Sequence, residues 1–499
     1  MAPATTRKIV VIMTDTQRTD MVGCYGHPDM KTPCLDRLAS EGIRFDRAYT
    51  CQPVCGPARA GLFTGTWPHS NGSWANSLPL GDNVKTLGQR FRDNAFHTAY
   101  LGKWHLDGGD YFGVGRCPDG WDADYWYDMR NYLEELTPED RLRSRQTKLN
   151  EDPSLTEDFC YGHRVSNRAI QFLSNHHDED FLLVVSYDEP HGPFVCPRPY
   201  SQMYKGYEFP KGRNVWDPLE NKPEHHRVWA GERLKEDKGA LRISPAAFLG
   251  CNSYVDYEIG RVVQAIDEYA ADALVIYTSD HGDALSAHSL SGKGPAMYEE
   301  ITHIPFLVRW PGRAPAQSSC EHPISHIDLV PTLMEAAGLH VGQSLEGHSM
   351  LPTFCDPRQR TNEAVFMEFG RYEVDHDSFG GFQPVRCAFD GRYKLVVNLL
   401  TTDELYDLGT DPDEMVNLID VPEHAAVRDQ LHDRILDWMN ETRDPFRGYC
   451  WERRPWRKDA RPATWNYTAM TRQRENEEYE PRQLDYSTGL AMEQATRRK

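Results

Sequence analysis

Five short, largely apolar runs, Ile9–Met13, Thr98–Leu101, Phe181–Ser186, Leu274–Thr278 and Phe306–Val308, constrain the fold of this chain most strongly. A strand with one wet face alternates apolar and polar side chains, whereas a strand covered on both faces has no position left for a polar one. Such runs predict the central strands of a sheet with helices on both faces, an α/β fold. Helical segments lie between them: Leu35–Glu41 ends at Gly42, Val84–Asp93 follows a turn at Gly81–Asn83, and Asp256–Ala270 has apolar residues at helical spacing. The Pro-, Gly-, Lys- and Glu-rich stretch from Pro197 to Ile243 predicts an irregular insertion over the sheet edge.

Near Gly370 the pattern changes. Val385–Phe389, Tyr393–Leu399 and Glu404–Tyr406 read as short strands at hairpin spacing, followed by a helix over Ala425–Met439. We therefore expect a catalytic α/β domain over 1–372, a C-terminal α+β subdomain over 373–440 and an Arg/Trp-rich arm over 441–499. The arm carries 13 basic against 10 acidic residues. It is expected to pack on another subunit and make a homo-oligomer, the alternative being a loose extension.

The chain as a whole is acidic, with 55 Lys and Arg against 75 Asp and Glu, a formal charge of −20. No chain-wide positive field exists to hold nucleic acid or an anionic membrane. No apolar run is long enough for a membrane span, and Met1–Lys8 lacks a signal-peptide core, so a cytoplasmic protein is expected. The 12 cysteines show no paired framework, which favours free thiols.

Four of the apolar runs lead directly into polar clusters: Thr14-Asp15, Gly102-Lys103-Trp104-His105, Tyr187-Asp188-Glu189-Pro190-His191 and Ser279-Asp280-His281-Gly282. Ligands of open parallel sheets bind beyond the carboxyl ends of the strands, so these clusters can converge. Asp15 alone would read as a turn cap. Together with Asp280 and His281 it makes a plausible site for one hard divalent cation, Ca²⁺ by its carboxylates, with Mn²⁺ or Mg²⁺ admitted by the imidazole. Arg59, Lys103 and Lys293, with His105, His191 and His288 as titratable neighbours, suit an oxyanion ester that needs positive charge and a proton for its leaving oxygen. Each lysine alone would read as a surface residue.

Cys55 stands where a helix should start, with Pro57 near its first position and Arg59 one turn on. Free amides there favour negative charge on what Cys55 carries. A low-pKa redox thiol fits that position equally well. The Cys51 and Cys55 pair could suggest a disulfide or zinc, but no second ligand pair stands at zinc spacing.

The segment Cys55-Gly56-Pro57-Ala58-Arg59, with Leu62-Phe63-Thr64-Gly65 behind it, resembles the C-x-P-x-R signature of the type I sulfatases (arylsulfatases) of the alkaline phosphatase superfamily. Met13–Arg18, Gly102–Leu106, Pro190–Phe194, Ser279–Gly282, Lys293 with Tyr298-Glu299, and Glu404–Asp407 with Asp411-Pro412 and Asn417-Leu418 resemble further blocks of that family in the same order. The resemblance covers residues 8–420 and is closest to bacterial cytoplasmic sulfatases and phosphonate monoester hydrolases. It implies an alkaline-phosphatase-like α/β/α sandwich with a small C-terminal antiparallel subdomain. It also implies that a formylglycine-generating enzyme oxidises Cys55 to formylglycine, whose hydrate attacks the sulfur of a small aryl or sugar sulfate and whose second hydroxyl then expels sulfate.

By the same resemblance Asp15, Asp280, His281 and the modified Cys55 hold the metal. Arg59 and His105 position the formylglycine, Lys103 and Lys293 grip the sulfate, and His191 and Lys293 are candidates to protonate the leaving group. Asp15 is followed by Thr16, where many sulfatases carry a second carboxylate, and His281 stands where others have Asn. The site thus has one anionic ligand fewer, as in phosphonate hydrolases and choline sulfatases. A phosphonate monoester or phosphodiester substrate is the alternative reading, and an inactive module whose tail binds an acidic partner is a third.

Overall fold

Alternate residues of the strand Lys8–Thr14 feed two different cores. Ile9, Val11 and Met13 pack with Ala60, Leu62 and Phe63 of the helix Cys55–Thr64 and with Leu329, Val330 and Leu333 of the helix Leu329–Ala336. Val10 and Ile12 face the other way, onto Val165, Ala169 and Phe172 of Tyr161–His176 and Val255, Ile259 and Val262 of Ala246–Tyr269. A strand with two apolar faces thus makes the middle layer of an α/β/α sandwich. The structure, a computed structural model, describes residues 5–76, 78–108, 111–243, 246–373 and 381–458, with 484 and 488–490.

The main sheet has eight strands in the order Ser318–Cys320, Ile43–Phe45, Phe306–Arg309, Leu274–Ser279, Lys8–Thr14, Phe181–Ser186, His97–Gly102 and Trp126–Tyr127. From Leu274–Ser279 to Trp126–Tyr127 all pairings are parallel, and Phe306–Arg309 runs antiparallel to its neighbours. All five strands expected from apolar runs lie in this sheet. Helix boundaries moved where local chemistry decided them. A capping box at Thr86 and Gln89 starts one helix at Leu87 rather than Val84. The long helix begins at Ala246, well before Asp256, because Gly250, Asn252 and Ser253 mask its periodicity and tertiary burial holds that turn in place.

A second, antiparallel sheet joins Val365–Phe369, Val385–Phe389, Tyr393–Asn398 and Glu404–Asp407, covered by the helix Ala425–Glu441. The insertion after Pro197 holds only short helices, among them Glu224–Ala230. The start of the expected arm lies against the small sheet: Trp451 is buried there, and Arg454 donates to Asp403 at 2.8 and 2.9 Å. Most of 459–499 lies outside the described residues. No helix among the described residues is long and apolar enough to cross a membrane.

Candidate active site

Strand register brings the expected residues together. Thr14 pairs with Ser279, so Asp15 and Asp280 follow side by side at the carboxyl edge. Gly102 pairs with Ser186, which places Lys103 beside the turn that carries Asp188 and His191. Gly102 sits at φ +122°, and a β-carbon there would meet the Ser186 carbonyl oxygen at 1.8 Å, so only glycine lets the two strand ends close up.

The helix Cys55–Thr64 delivers the rest, and all ten of its residues are buried. A helix buried on every side carries no amphipathic stripe, and it runs through the core with its N-terminus aimed at the strand ends. The Gly56 amide donates to Asn76 Oδ1 at 2.8 Å, which anchors the first turn. Cys55 Sγ lies 2.7 Å from Lys293 Nζ, 3.2 Å from His281 Nε2 and 3.7 Å from Asp15 Oδ1. Arg59 does not reach Cys55 Sγ. Its Nε donates to Asp280 Oδ2 at 3.0 Å, Nη2 to Asp15 Oδ2 at 3.3 Å, and Nη1 to the Lys103 carbonyl and Ser186 Oγ at 2.7 and 2.8 Å. The guanidinium therefore ties both carboxylates and two strand ends together with no exposed surface.

Lys103 Nζ pairs with Asp15 Oδ2 at 2.6 Å and Asp188 Oδ1 at 3.0 Å, 4.0 Å from the centre of the Tyr111 ring. Tyr111 donates to Asp188 Oδ1, and its hydroxyl lies 3.0 Å from His191 Nδ1. His105 adopts φ +59°, packs 5.4 Å from the Tyr111 ring, and leaves its buried Nδ1 without a hydrogen-bond partner among the described residues. Burial resists ionisation of Asp15, but Lys103 and Lys293 outweigh it and hold its carboxyl well below the usual range. Burial and the Asp15 charge push the Cys55 thiol up, yet Lys293, Lys103 and His281 draw it down to about 5. Burial, reinforced by Lys103, lowers His191 to about 4 and His105 to about 3.

Lys293 reaches the site on a loop whose residues Leu285, Ser286, His288 and Ser289 have φ of 42°, 72°, 53° and 58°. Such left-handed conformations are costly for non-glycine residues and persist where surrounding contacts over-determine them. The insertion supplies those contacts. Asp217 Oδ2 pairs with His288 Nδ1 at 2.6 Å and with Lys222 Nζ, Trp229 Nε1 donates to the Ser291 carbonyl at 3.2 Å, and His225 and His226 donate to the Pro295 carbonyl at 2.8 and 3.1 Å. His288, expected beside the reacting atoms, thus belongs to the support of the Lys293 loop. Trp104, Trp121 and Trp126 surround Tyr100 in the core, and Trp216 is half exposed.

Asp15, Cys55, Asp280 and His281 place one ligand atom each within 4.8 Å of one another, all buried. His281 Nδ1 lies 2.8 Å from the Gly282 carbonyl, an acceptor, so this nitrogen keeps its proton and Nε2, which faces the carboxylates, is the one that can give up its proton to a metal ion. Two anionic oxygens and an imidazole fit a divalent cation. Sequence reasoning passed over Tyr111, Ser186 and Asn76, and gave Asp188 no role, because none stands at a recognisable spacing from Cys55.

The sulfatase family matches residues 7–339, and the C-terminal family of N-sulphoglucosamine sulphohydrolase matches residues 292–441. The uncharacterized sulfatase YidJ of Escherichia coli K12 is 49% identical over 489 residues, 96% of each chain. An arylsulfatase of Clostridium perfringens is 26% identical over 85% of this chain and 92% of its own. The structure of the phosphonate monoester hydrolase of Agrobacterium radiobacter shares the fold with a TM-score of 0.70, covering 88% of this chain and 96% of that one at 22% identity. With Cys55 and Arg59 on one buried helix facing Asp15, Asp280 and His281, the chain belongs to the sulfatase family of the alkaline phosphatase superfamily and is a sulfuric ester hydrolase.

Proposed function

We propose that the protein hydrolyses a small aryl or sugar sulfate ester through a formylglycine made from Cys55 by a formylglycine-generating enzyme, with one divalent metal ion held by Asp15, Asp280, His281 and residue 55. The observation that carries this reading is the two-sided surrounding of Cys55 Sγ. His281 and Asp15, both candidate ligands, lie within 3.7 Å, and the Lys293 ammonium lies at 2.7 Å. A two-oxygen nucleophile at residue 55 finds metal ligands for one oxygen and a cation for the other. When present, the hydrated aldehyde supplies the nucleophile and the metal, Ca²⁺ or else Mn²⁺ or Mg²⁺, lowers the cost of its ionisation.

The protein groups divide the remaining work. Asp15, Asp188 and Asp280 balance Arg59, Lys103 and Lys293 in charge. A divalent ion therefore leaves the pocket positive, as an anionic ester requires. Lys103, fixed between two carboxylates, and Lys293 hold sulfate oxygens. Lys293 stays protonated and is placed to give a proton to the leaving oxygen; burial keeps His191, the second candidate, neutral, which favours Lys293 as the acid. Arg59 acts on the nucleophile through Asp15 and Asp280. We assign the enzyme to the cytoplasm, as a homo-oligomer through its C-terminal arm.

Thr16 in place of a second carboxylate, and the shared fold of a phosphonate monoester hydrolase, support promiscuity and a phosphonate ester as the alternative substrate. The two are separated by kcat/KM for a matched pair of aryl sulfate and aryl phosphonate monoesters. A higher value for the sulfate upholds the proposal, and preference for the phosphonate overturns it.

A further inference from the structure

At the amino end of the main sheet, remote from the catalytic groups, a second cluster draws together two imidazoles and a carboxylate. His97 opens the strand His97–Gly102, His176 ends the helix Tyr161–His176, and Glu179 lies in the turn before Phe181–Ser186. The strand His97–Gly102 separates this cluster from Lys103 by roughly 20 Å.

His97 Nδ1 lies 2.8 Å from Glu179 Oε2 and His176 Nδ1 lies 2.8 Å from Glu179 Oε1. Both outer nitrogens are already fixed: His97 Nε2 is 2.6 Å from Asp122 Oδ2, and His176 Nε2 is 2.8 Å from the Tyr125 hydroxyl. A neutral imidazole has one N–H. His97 thus stands between the Asp122 and Glu179 carboxylates, and what balances them at Nδ1 is either a second proton or a metal ion.

This is the arrangement of a transition-metal site, in which an outer acceptor sets the tautomer and the inner nitrogen points at the ion. The three inner groups lie within 4.8 Å of one another, and the imidazole centroids are 4.3 Å apart, walled by Phe172 at 5.1 Å from each. Bonds of the length zinc makes to nitrogen and oxygen give ligand separations of about 3.3 Å, so each 2.8 Å contact has to open by about 0.5 Å. Half-buried side chains leave a path for the ion, and a cavity of about 460 Å³ lined by His97, Asp122, Tyr125 and His176 adjoins the cluster.

We propose that His97 Nδ1, His176 Nδ1 and the Glu179 carboxylate bind a zinc-class divalent ion, with Asp122 and Tyr125 as the outer partners that orient the imidazoles. Two nitrogens among three ligands favour zinc, nickel or cobalt over calcium and magnesium. The ion joins a helix end, a turn and a strand start, so its role is to pin this edge of the sheet.

The test titrates the full-length enzyme with Zn²⁺ in excess Mg²⁺ or Ca²⁺, measuring bound zinc per chain, beside His176→Gln and Glu179→Gln. The wild type is expected to hold one zinc more than either variant and to gain thermal stability with Zn²⁺ that both variants lack, while their basal turnover stays within twofold of wild type. Asp122→Asn keeps the three ligands and should weaken zinc binding on the order of 10–100-fold. Should the other variants fail to fold, Co²⁺ added to wild type made without the formylglycine-generating enzyme, whose catalytic site keeps the Cys55 thiol, reads the site directly, the expected visible bands lacking thiolate charge transfer. Equal zinc stoichiometry in wild type and variants, or a Co²⁺ spectrum carrying only thiolate ligation, overturns the assignment.

Discussion

Lys293 Nζ lies 2.7 Å from Cys55 Sγ across 238 residues of sequence, the closest polar contact the Cys55 side chain makes. Burial opposes the Lys293 charge, but the Cys55 and Asp15 charges outweigh it, so the ammonium is retained at neutral pH. If Lys293 supplies the leaving-group proton, Lys293→Ala should lose on the order of 100–10,000-fold in kcat for an alkyl or sugar sulfate. The loss should be far smaller for a nitrophenyl sulfate, whose leaving oxygen needs little protonation. The same loss on both substrates would restrict Lys293 to binding sulfate.

Arg59 is wholly buried between Asp15 and Asp280. Arg59→Ala takes the guanidinium from buried Asp280 and leaves Asp15 to Lys103, and breaking such a buried pair costs about 3–5 kcal/mol. A fall in the thermal midpoint together with lost turnover is expected. Mass analysis of residue 55 in that variant then separates failed modification from failed catalysis, and an unaltered midpoint would contradict the bridging role.

Asp217 touches no reacting group, yet it holds His288 in the strained loop that presents Lys293. Displacing a catalytic group by about 1 Å costs on the order of 100-fold. Asp217→Asn should therefore lower kcat by about 10–100-fold while leaving metal content unchanged, as read by turnover and elemental analysis. Wild-type kcat in a folded variant would mean that the loop holds its shape unaided.

His226 titrates far below its ordinary range, at about 3, because burial disfavours its charged form. In the native protein it stays neutral, while the unfolded chain takes up a proton below pH 6.5. Its contribution to stability is thus complete above that pH and shrinks as pH falls towards 3, by about 1.4 kcal/mol per unit. His226→Gln lacks this titration, so the stability gap between wild type and variant should narrow by about 1 kcal/mol from pH 6.5 to 5.5 in urea unfolding. A gap independent of pH would show that the native imidazole is charged.

The strands were legible because runs such as Phe181–Ser186 are apolar on both faces, short and rich in β-branched residues, which a buried helix would not require. The clusters at their ends were legible because strand register carries Asp15, Asp280 and Lys103 to one edge. What sequence reasoning missed depends on contacts with no fixed spacing. Tyr111 reaches Asp188 from an irregular loop, and His288 turns to Asp217 because the insertion folds over its loop. The arm beyond Lys458 lies almost entirely outside the described residues, so its expected contact with another subunit stays a proposal.

Residue 55 decides the mechanism, and the mass of the tryptic peptide Ala48–Arg59 reads its chemical state in protein made alongside a formylglycine-generating enzyme. Cys55 should lose one sulfur and two hydrogens and gain one oxygen, and Cys55→Ala should fold normally but turn over no sulfate ester. An intact thiol in a preparation that still hydrolyses an aryl sulfate at full rate would contradict this mechanism.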